Sequence, residues 1–283
     1  MFNTKPASLS LAYKATWFDI IFAAFAVLVA TYVRYGYQIG VDDHVVLSLR
    51  GIELADPTAF QNDWMINNAT QPHWMFDYIT YLGEKFNSLG LVYFLYWCVT
   101  AVAFSWGVCW FAEYFNEKRL IYVMPVLSVI GPFHLLGTIN ILYRLALPHL
   151  LGGSLFFLCM AALFTNRWKA ALLLTPLALM VHVQHGADLV GLMMLVVVLK
   201  ADWTVLRRLQ VLALLVVFLM AVAAISVARD LSQSTNFAEL CYRYTPGHCN
   251  ASSWTFKSWY TGVVCSLLVS LMMVFDRRNL RLW

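Results

Sequence analysis

Apolar residues occur along this chain in long runs that are separated by short polar segments. A helix that crosses the hydrocarbon core of a membrane needs about 20 mostly apolar residues. The runs predict eight membrane helices, near residues 16–36, 89–112, 120–137, 147–165, 169–183, 186–200, 208–228 and 257–275. The fifth and sixth runs are short and meet at "HVQHGAD", so they could form one broken hairpin, and seven spans is the alternative count.

Composition supports this interpretation. The 283 residues are 61% hydrophobic and 12% charged, whereas a soluble domain carries about 25% charged residues. The first apolar run lacks a small-residue cleavage site, so it is typical of a retained helix rather than a signal peptide. We therefore predict an all-α fold, a polytopic transmembrane helical bundle that forms one domain over residues 1–283.

The polar segments predict an orientation, because loops rich in Lys and Arg tend to stay in the cytoplasm. With the N-terminus inside, 12 of the 19 basic residues fall at cytoplasmic ends and ten of the 15 acids fall outside. Both termini are then cytoplasmic, and residues 37–88 and 229–256 form two outer loops. The expected location is a bacterial inner membrane, with membrane lipid as a partner. No basic run interleaved with aromatics indicates nucleic acid.

The first outer loop concentrates acids. Its stretch "VDDHVVLSLRGIELADPTAFQNDWMINNATQPHWMFDYI", residues 41–79, holds five aspartates, one glutamate and two histidines. Asp42 and Asp43 directly follow the first predicted span, close to the membrane surface, where a site for a lipid-borne substrate would lie. The stretches "HVVLSLRGIEL" and "WMFDYITYLGEKF" have near-helical apolar spacing, which predicts amphipathic helices lying on the membrane.

This arrangement resembles the GT-C superfamily of integral membrane glycosyltransferases. The sequence stretch "VDDH…ADPTAFQNDWM" is similar to that of uncharacterised bacterial members, in which an acidic dyad is followed by a "DP…ND-W" stretch. The specific likeness covers about residues 16–80. The resemblance implies transfer of a sugar from a polyprenyl-phosphate donor to an acceptor on the outer face.

The resemblance also implies residue roles. An acidic residue of the first outer loop serves such enzymes as general base or as a ligand for Mg²⁺ or Mn²⁺, and Asp42 and Asp43 occupy that place. Asp43 is the first choice, and His44 and Asp63 would shape the substrate pocket. The chemistry requires a carboxylate on its own terms, because an acceptor hydroxyl must lose its proton as it attacks the sugar. The alternative interpretation of "DD" is a solvated turn.

Further polar residues are candidates for substrate binding. Arg144 in "NILYRLALPH" is placed near the outer face to meet a phosphate. In "HVQHGAD", His182, His185 and Asp188 share one helix face if the helix continues, although Gly186 suggests a break there. His149 flanks the turn that carries Arg144. Metal binding, pocket lining and interhelical hydrogen bonding all remain open for these histidines.

Cysteines divide by position. Cys98, Cys109, Cys159 and Cys265 lie in predicted spans and are typical of small buried hydrophobes. Cys241 and Cys249, in "CYRYTPGHCN", lie in the second outer loop and would form a disulfide if that face is oxidising. A metal site that includes His248 is the weaker alternative, because four ligands at metal spacing are missing.

Two other functions stay open. A transporter or flippase would use the broken spans near residues 132–148 and 182–188 as its binding region. A polysaccharide polymerase would also take lipid-linked sugars, but it would depend more on arginines than on acids. The chain ends at "DRRNLRLW", which is either a natural end or the point of a truncation.

Overall fold

The computed structural model describes residues 13–63, 66, 73–130, 143–199 and 203–230, and every extended regular element in these ranges is a helix. The ten helices are α1 (Trp17–Tyr35), α2 (Asp43–Leu47), α3 (Leu49–Ala55), α4 (Trp74–Lys85), α5 (Leu89–Phe115), α6 (Leu120–Ile130), α7 (Pro148–Phe164), α8 (Trp168–Val181), α9 (Val183–Leu199) and α10 (Val205–Asp230).

Seven of the predicted apolar runs coincide with helices, namely α1 and α5 to α10. Three segments are long and apolar enough to cross a membrane: α1, α5 and Val205–Ile225 of α10, with mean hydropathies of 1.7, 1.7 and 2.5. The apolar helices α7, α8 and α9 are shorter. The chain is thus an all-helical membrane protein over the described ranges, and the count of eight spans stays a prediction. The eighth run, 257–275, lies outside the described residues.

Helix α5 lies at the centre of the bundle and packs against α1, α4, α6 and α7. Its buried residues include direct neighbours such as Ala103, Phe104 and Ser105, which point to different sides of the helix. No residue from Ala103 to Ala112 is exposed, so this part of α5 is enclosed on all sides, whereas Leu91, Leu95 and Val99 in its first half are exposed. Helices α7, α8, α9 and α10 pack in chain order beside it.

The segment predicted as the first outer loop, residues 37–88, is anchored to α5 through Tyr93. Its hydroxyl hydrogen-bonds Ser48 Oγ and Thr80 Oγ1, each at 2.7 Å. The stretch "HVVLSLRGIEL" was predicted as one helix, but it forms α2 and α3, which are separated at the buried Ser48. Gly51 allows α3 to approach α4, because a Cβ there would lie 2.4 Å from Thr80 Cβ.

The thiols follow the prediction where the structure describes them. Cys109 and Cys159 are buried and free, and Cys98 is free and half-buried. The predicted disulfide between Cys241 and Cys249 lies outside the described residues, as does Cys265.

Candidate functional site

Two chain segments about 100 residues apart meet beside the acidic pair. We call this contact the junction; it joins residues 38–44, after α1, to residues 143–147, before α7. The N–H of Gln38 donates to the carbonyl oxygen of Arg144 at 3.0 Å. The indole N–H of Trp97 on α5 donates to the carbonyl oxygen of Tyr143, also at 3.0 Å. Backbone bonds therefore fix both segments, independently of the charged side chains.

At the junction, Arg144 forms an ion pair with Asp42, its Nη2 donating to Asp42 Oδ2. The side chains are 29% and 47% exposed, respectively. Asp42 has a φ of 48° and a ψ of −127°, a positive-φ conformation that favours glycine and is uncommon for other residues. The hydrogen bond to Asp42 raises the pKa of Arg144. Two residues that the sequence predicted separately are thus brought into contact.

Asp43, the favoured catalytic candidate, is the first residue of α2 and is exposed. Arg144 binds Asp42 and leaves Asp43 beside the pair. A carboxylate in this position is accessible to a substrate that approaches the junction from outside.

His44 lies behind the acidic pair rather than in a pocket. It is 1% exposed, its Nε2–H donates to the carbonyl oxygen of Ala146 at 2.8 Å, and its Nδ1 accepts from the N–H of Gly40 at 3.2 Å. Burial lowers the pKa of His44, so the ring is neutral near neutral pH. We predicted substrate contact, whereas these bonds make His44 a positioning residue that holds the two segments of the junction together.

Asp63 has a local role in the structure. Its Oδ1 accepts a hydrogen bond from the N–H of Ile66 at 3.1 Å. Its own N–H donates to the carbonyl oxygen of Phe60 at 2.8 Å. Asp63 thus caps a turn of the outer loop, as short acidic side chains often do.

A second polar group, the histidine cluster, contains His73, His149, His182 and His185. His182 is its centre: the ring centroids of His185, His73 and His149 lie 4.4, 4.9 and 6.5 Å from that of His182. The sequence predicted three of these four as substrate-binding residues, and the structure brings those three together. His73 was missed, because nothing in the sequence places it beside residues over 100 positions away.

The cluster forms where α8 turns into α9. The predicted break at Gly186 is wrong: the helix ends at Val181, His182 is extended with φ −151° and ψ 103°, and α9 begins at the next residue. His182 Nδ1 accepts from the N–H of His185 at 3.3 Å. Gly186 instead allows close packing, since a Cβ there would lie 2.4 Å from Leu179 Cα.

His73, the member of the histidine cluster that precedes α4, is uncharged near neutral pH. Burial, followed by repulsion from His185, lowers the pKa of His73 to about 4. Its Nδ1 is buried without a hydrogen-bond partner among the described residues. The rings of His73 and His182 are stacked at 22°, so they offer faces to each other rather than converging nitrogens.

The described ranges contain no side-chain group suited to the Mg²⁺ or Mn²⁺ that the resemblance implies. No group of three or more His, Cys, Asp or Glu side chains there is arranged to hold an ion. The Arg144 guanidinium already occupies Asp42.

Asp77 is a buried acidic residue that was not predicted as a site residue. It is 1% exposed on α4, on the buried face that also carries Phe76, Thr80 and Gly83. The signal was present in "WMFDYITYLG": the spacing of 77, 80 and 83 puts an acid on the inward face of an amphipathic helix.

Helix α4 and the segment before α7 connect the two polar groups. Phe76 stacks on His44 with ring centroids 6.3 Å apart, while His73, just before α4, stacks on His182. Arg144 at the junction and His149 in the cluster are five residues apart. The junction and the histidine cluster therefore share their supporting elements.

The described ranges thus belong to an all-helical membrane protein with an acidic pair in the segment that follows α1, the first helix long and apolar enough to cross a membrane. No protein-family model, curated protein or solved structure matches the chain.

Proposed function

We propose that the chain is a GT-C-like integral membrane glycosyltransferase that moves a sugar from a polyprenyl-phosphate-linked donor to an acceptor on the outer face. The observation that carries the proposal is the junction, where an exposed carboxylate, a second carboxylate and a cation lie together a short segment after the end of α1, a helix long and apolar enough to span a membrane. The reaction needs a general base, a cation that binds the phosphate and a position close to the membrane.

Asp43 acts as the general base. The acceptor oxygen attacks the anomeric carbon, its proton passes to the Asp43 carboxylate, and the bond from the sugar carbon to the phosphate oxygen breaks. The exposure of Asp43 allows an acceptor to reach it. General base catalysis of this kind typically contributes 10²–10⁴-fold.

Arg144 binds the phosphate that leaves with the polyprenyl carrier. A guanidinium is suited to phosphate because its planar donors match the phosphate oxygens. Asp42 holds the guanidinium in position through the ion pair, and the bonds of Gln38 and Trp97 hold the backbone of that segment. Asp42 is then a positioning residue, and Asp43 is the catalytic residue of the pair.

The histidine cluster contributes hydrogen bonds to sugar hydroxyls. Neutral imidazoles both donate and accept, as hydroxyl recognition requires. His149 is attached to the same segment as Arg144, so a donor with its phosphate at the junction would extend its sugar toward His182 and His185. His73 joins them from the outer loop.

The test is direct binding and transfer. Purified full-length protein in detergent is titrated with a polyprenyl-phosphate sugar, with the unglycosylated polyprenyl phosphate as control, and transfer to added acceptors is followed by mass spectrometry. We expect saturable binding of both lipids, because both carry the phosphate, and transfer from the sugar-bearing one alone. Absence of binding for both would contradict the proposal.

A transporter is the second candidate, and one observation favours it: two apolar helices, α8 and α9, meet at a single extended residue, His182, among half-buried polar rings. Discontinuous helices of this kind form binding sites in transporters. Reconstitution in vesicles distinguishes the two. Movement of a lipid-linked sugar across the bilayer without any transfer product would favour the transporter.

A further inference from the structure

A cavity lies at the N-terminal end of α8, the end opposite to the histidine cluster. Its volume is about 510 Å³, and it lies between the turn that joins α7 to α8 and the start of α10. Its lining consists of Asn166, Arg167, Trp168, Lys169, Ala170, Trp203 and Arg207. The 14 residues of α8 separate it from His182 by roughly 20 Å, at about 1.5 Å per residue. It is therefore distinct from the proposed catalytic site.

The cavity is strongly positive. Arg167, Lys169 and Arg207 line it, and none of its described lining residues is acidic. Glu113 on α5 forms an ion pair with Nη2 of Arg167, but Nη1 of the same guanidinium is buried without a hydrogen-bond partner among the described residues. An unpaired buried donor is costly, so Glu113 compensates the charge of Arg167 only in part.

Two tryptophans form the wall that holds Arg207. The rings of Trp168 and Trp203 lie 4.5 Å apart, and the residues are 7% and 6% exposed. The guanidinium of Arg207 lies 4.1 Å from the ring centroid of Trp203, within cation–π range. The cation is thus held in place before any ligand arrives, which reduces the entropic cost of binding.

Backbone direction adds to the positive potential. Lys169 and Arg207 lie in the first turns of α8 and α10, respectively. A helix N-terminus already carries partial positive charge and disfavours cations. Two such ends with added cations in one cavity make a site for an anion.

We propose that this cavity binds the phosphate ester group of an anionic phospholipid. The orientation predicted from the distribution of Lys and Arg would put these loops at the inner membrane surface, where tryptophans are enriched and anionic lipids are found. The cations would contact the phosphate, while the tryptophan pair lies at the level of the headgroups. A soluble phosphate ester carries the same chemistry, and the test separates the two sources.

Native mass spectrometry of the full-length protein in detergent measures the lipid that stays bound after addition of phosphatidylglycerol or phosphatidylcholine. We expect selective retention of phosphatidylglycerol. Each cation removed, by Lys169→Gln or Arg207→Gln, should weaken it about fivefold, and the double variant roughly 25-fold. Arg207→Lys keeps the charge and should recover part of the loss. Lys14→Gln removes an exposed cation on the same predicted side, outside the cavity, and should change nothing.

Glycerol 3-phosphate is added in a competition arm. If it displaces phosphatidylglycerol only at large excess, the lipid is the ligand, as proposed. If it binds as tightly as the lipid, the cavity takes soluble phosphate esters and the lipid assignment is overturned. Equal retention of both lipids, or equal loss in Lys14→Gln and Arg207→Gln, would overturn the site itself. Each variant is first checked by size-exclusion elution, and Lys169→Gln, at an exposed position, provides a test if the double variant does not fold.

Discussion

The junction and the histidine cluster are both polar regions of an apolar helical bundle, but their polar side chains are stabilised in different ways. At the junction, Asp42 and Arg144 are partly exposed and hold full charges against each other. In the cluster, the rings lie against one another and His73 stays neutral near neutral pH because burial disfavours its charged form. Charge at the surface suits proton transfer and phosphate binding, whereas neutral buried rings suit recognition of hydroxyls. Changes at the junction should therefore affect the chemical step, whereas changes around the cluster should affect donor binding and the packing of α7 against His182.

The largest expected effect is that of Asp43→Asn. The substitution keeps the shape of the side chain but removes its ability to accept a proton, so sugar transfer should fall by at least about 100-fold. Because Asp43 is exposed, expression and melting temperature should stay close to wild type. Transfer rates and thermal unfolding in detergent measure the two quantities.

Asp42→Asn is the matched comparison within the dyad. It should weaken transfer less than Asp43→Asn, because it loosens Arg144 without removing the base. Wild-type transfer in the double variant Asp42→Asn, Asp43→Asn would end the catalytic interpretation of the junction.

Two adjacent glycines of α7 test the packing of the cluster. A Cβ on Gly152 would lie 2.6 Å from His182 Cβ, whereas the nearest atom to a Cβ on Gly153 is His185 Nε2 at 3.9 Å. Gly152→Ala should therefore lower the free energy of unfolding by about 1–3 kcal/mol. Gly153→Ala has room and should be neutral or stabilising by up to about 1 kcal/mol. Denaturant unfolding compares them, and equal effects at both positions would argue against this packing.

Arg144→Gln should reduce transfer by about tenfold, the effect of losing one charge-assisted contact to phosphate. Arg144→Lys keeps the charge and should recover part of the activity. The backbone bonds of the junction do not involve the guanidinium, so the melting temperature should change little. A large loss of stability with unchanged transfer would assign the ion pair to structure alone.

Much of the fold was predictable because each apolar run needs only its own residues to form a helix. The predicted spans near 16–36 and 89–112 became α1 (Trp17–Tyr35) and α5 (Leu89–Phe115) for this reason. The break at Ser48 was not predictable, because it depends on a hydrogen bond to Tyr93 on another helix. The break at His182 was misplaced to Gly186, since a glycine in sequence does not reveal whether it ends a helix or allows one to approach.

The candidate site was predictable by residue type but not by contact. Asp42 and Arg144 were both chosen for chemistry at the outer face, yet their contact depends on how residues 143–147 pack after the first span. The burial of His44 was not predicted, and both of its ring nitrogens are used within the fold, which favours a positioning role. His73 was missed because its neighbours come from distant elements, whereas the helical spacing of residues 77, 80 and 83 did carry a local signal for Asp77.

The smallest expected effect belongs to Asp56→Asn, in the same acidic loop. Asp56 Oδ1 accepts from the side chain and the N–H of Thr58, at 2.6 and 2.9 Å, and these bonds lower the pKa of Asp56. Asparagine keeps that oxygen and loses only the charge, so transfer should stay within about twofold of wild type. The charge removed equals that removed by Asp43→Asn, which makes the pair a test of position. If both variants lost transfer equally, the net charge of the loop would be the active feature, and the assignment of the proton to Asp43 would fail.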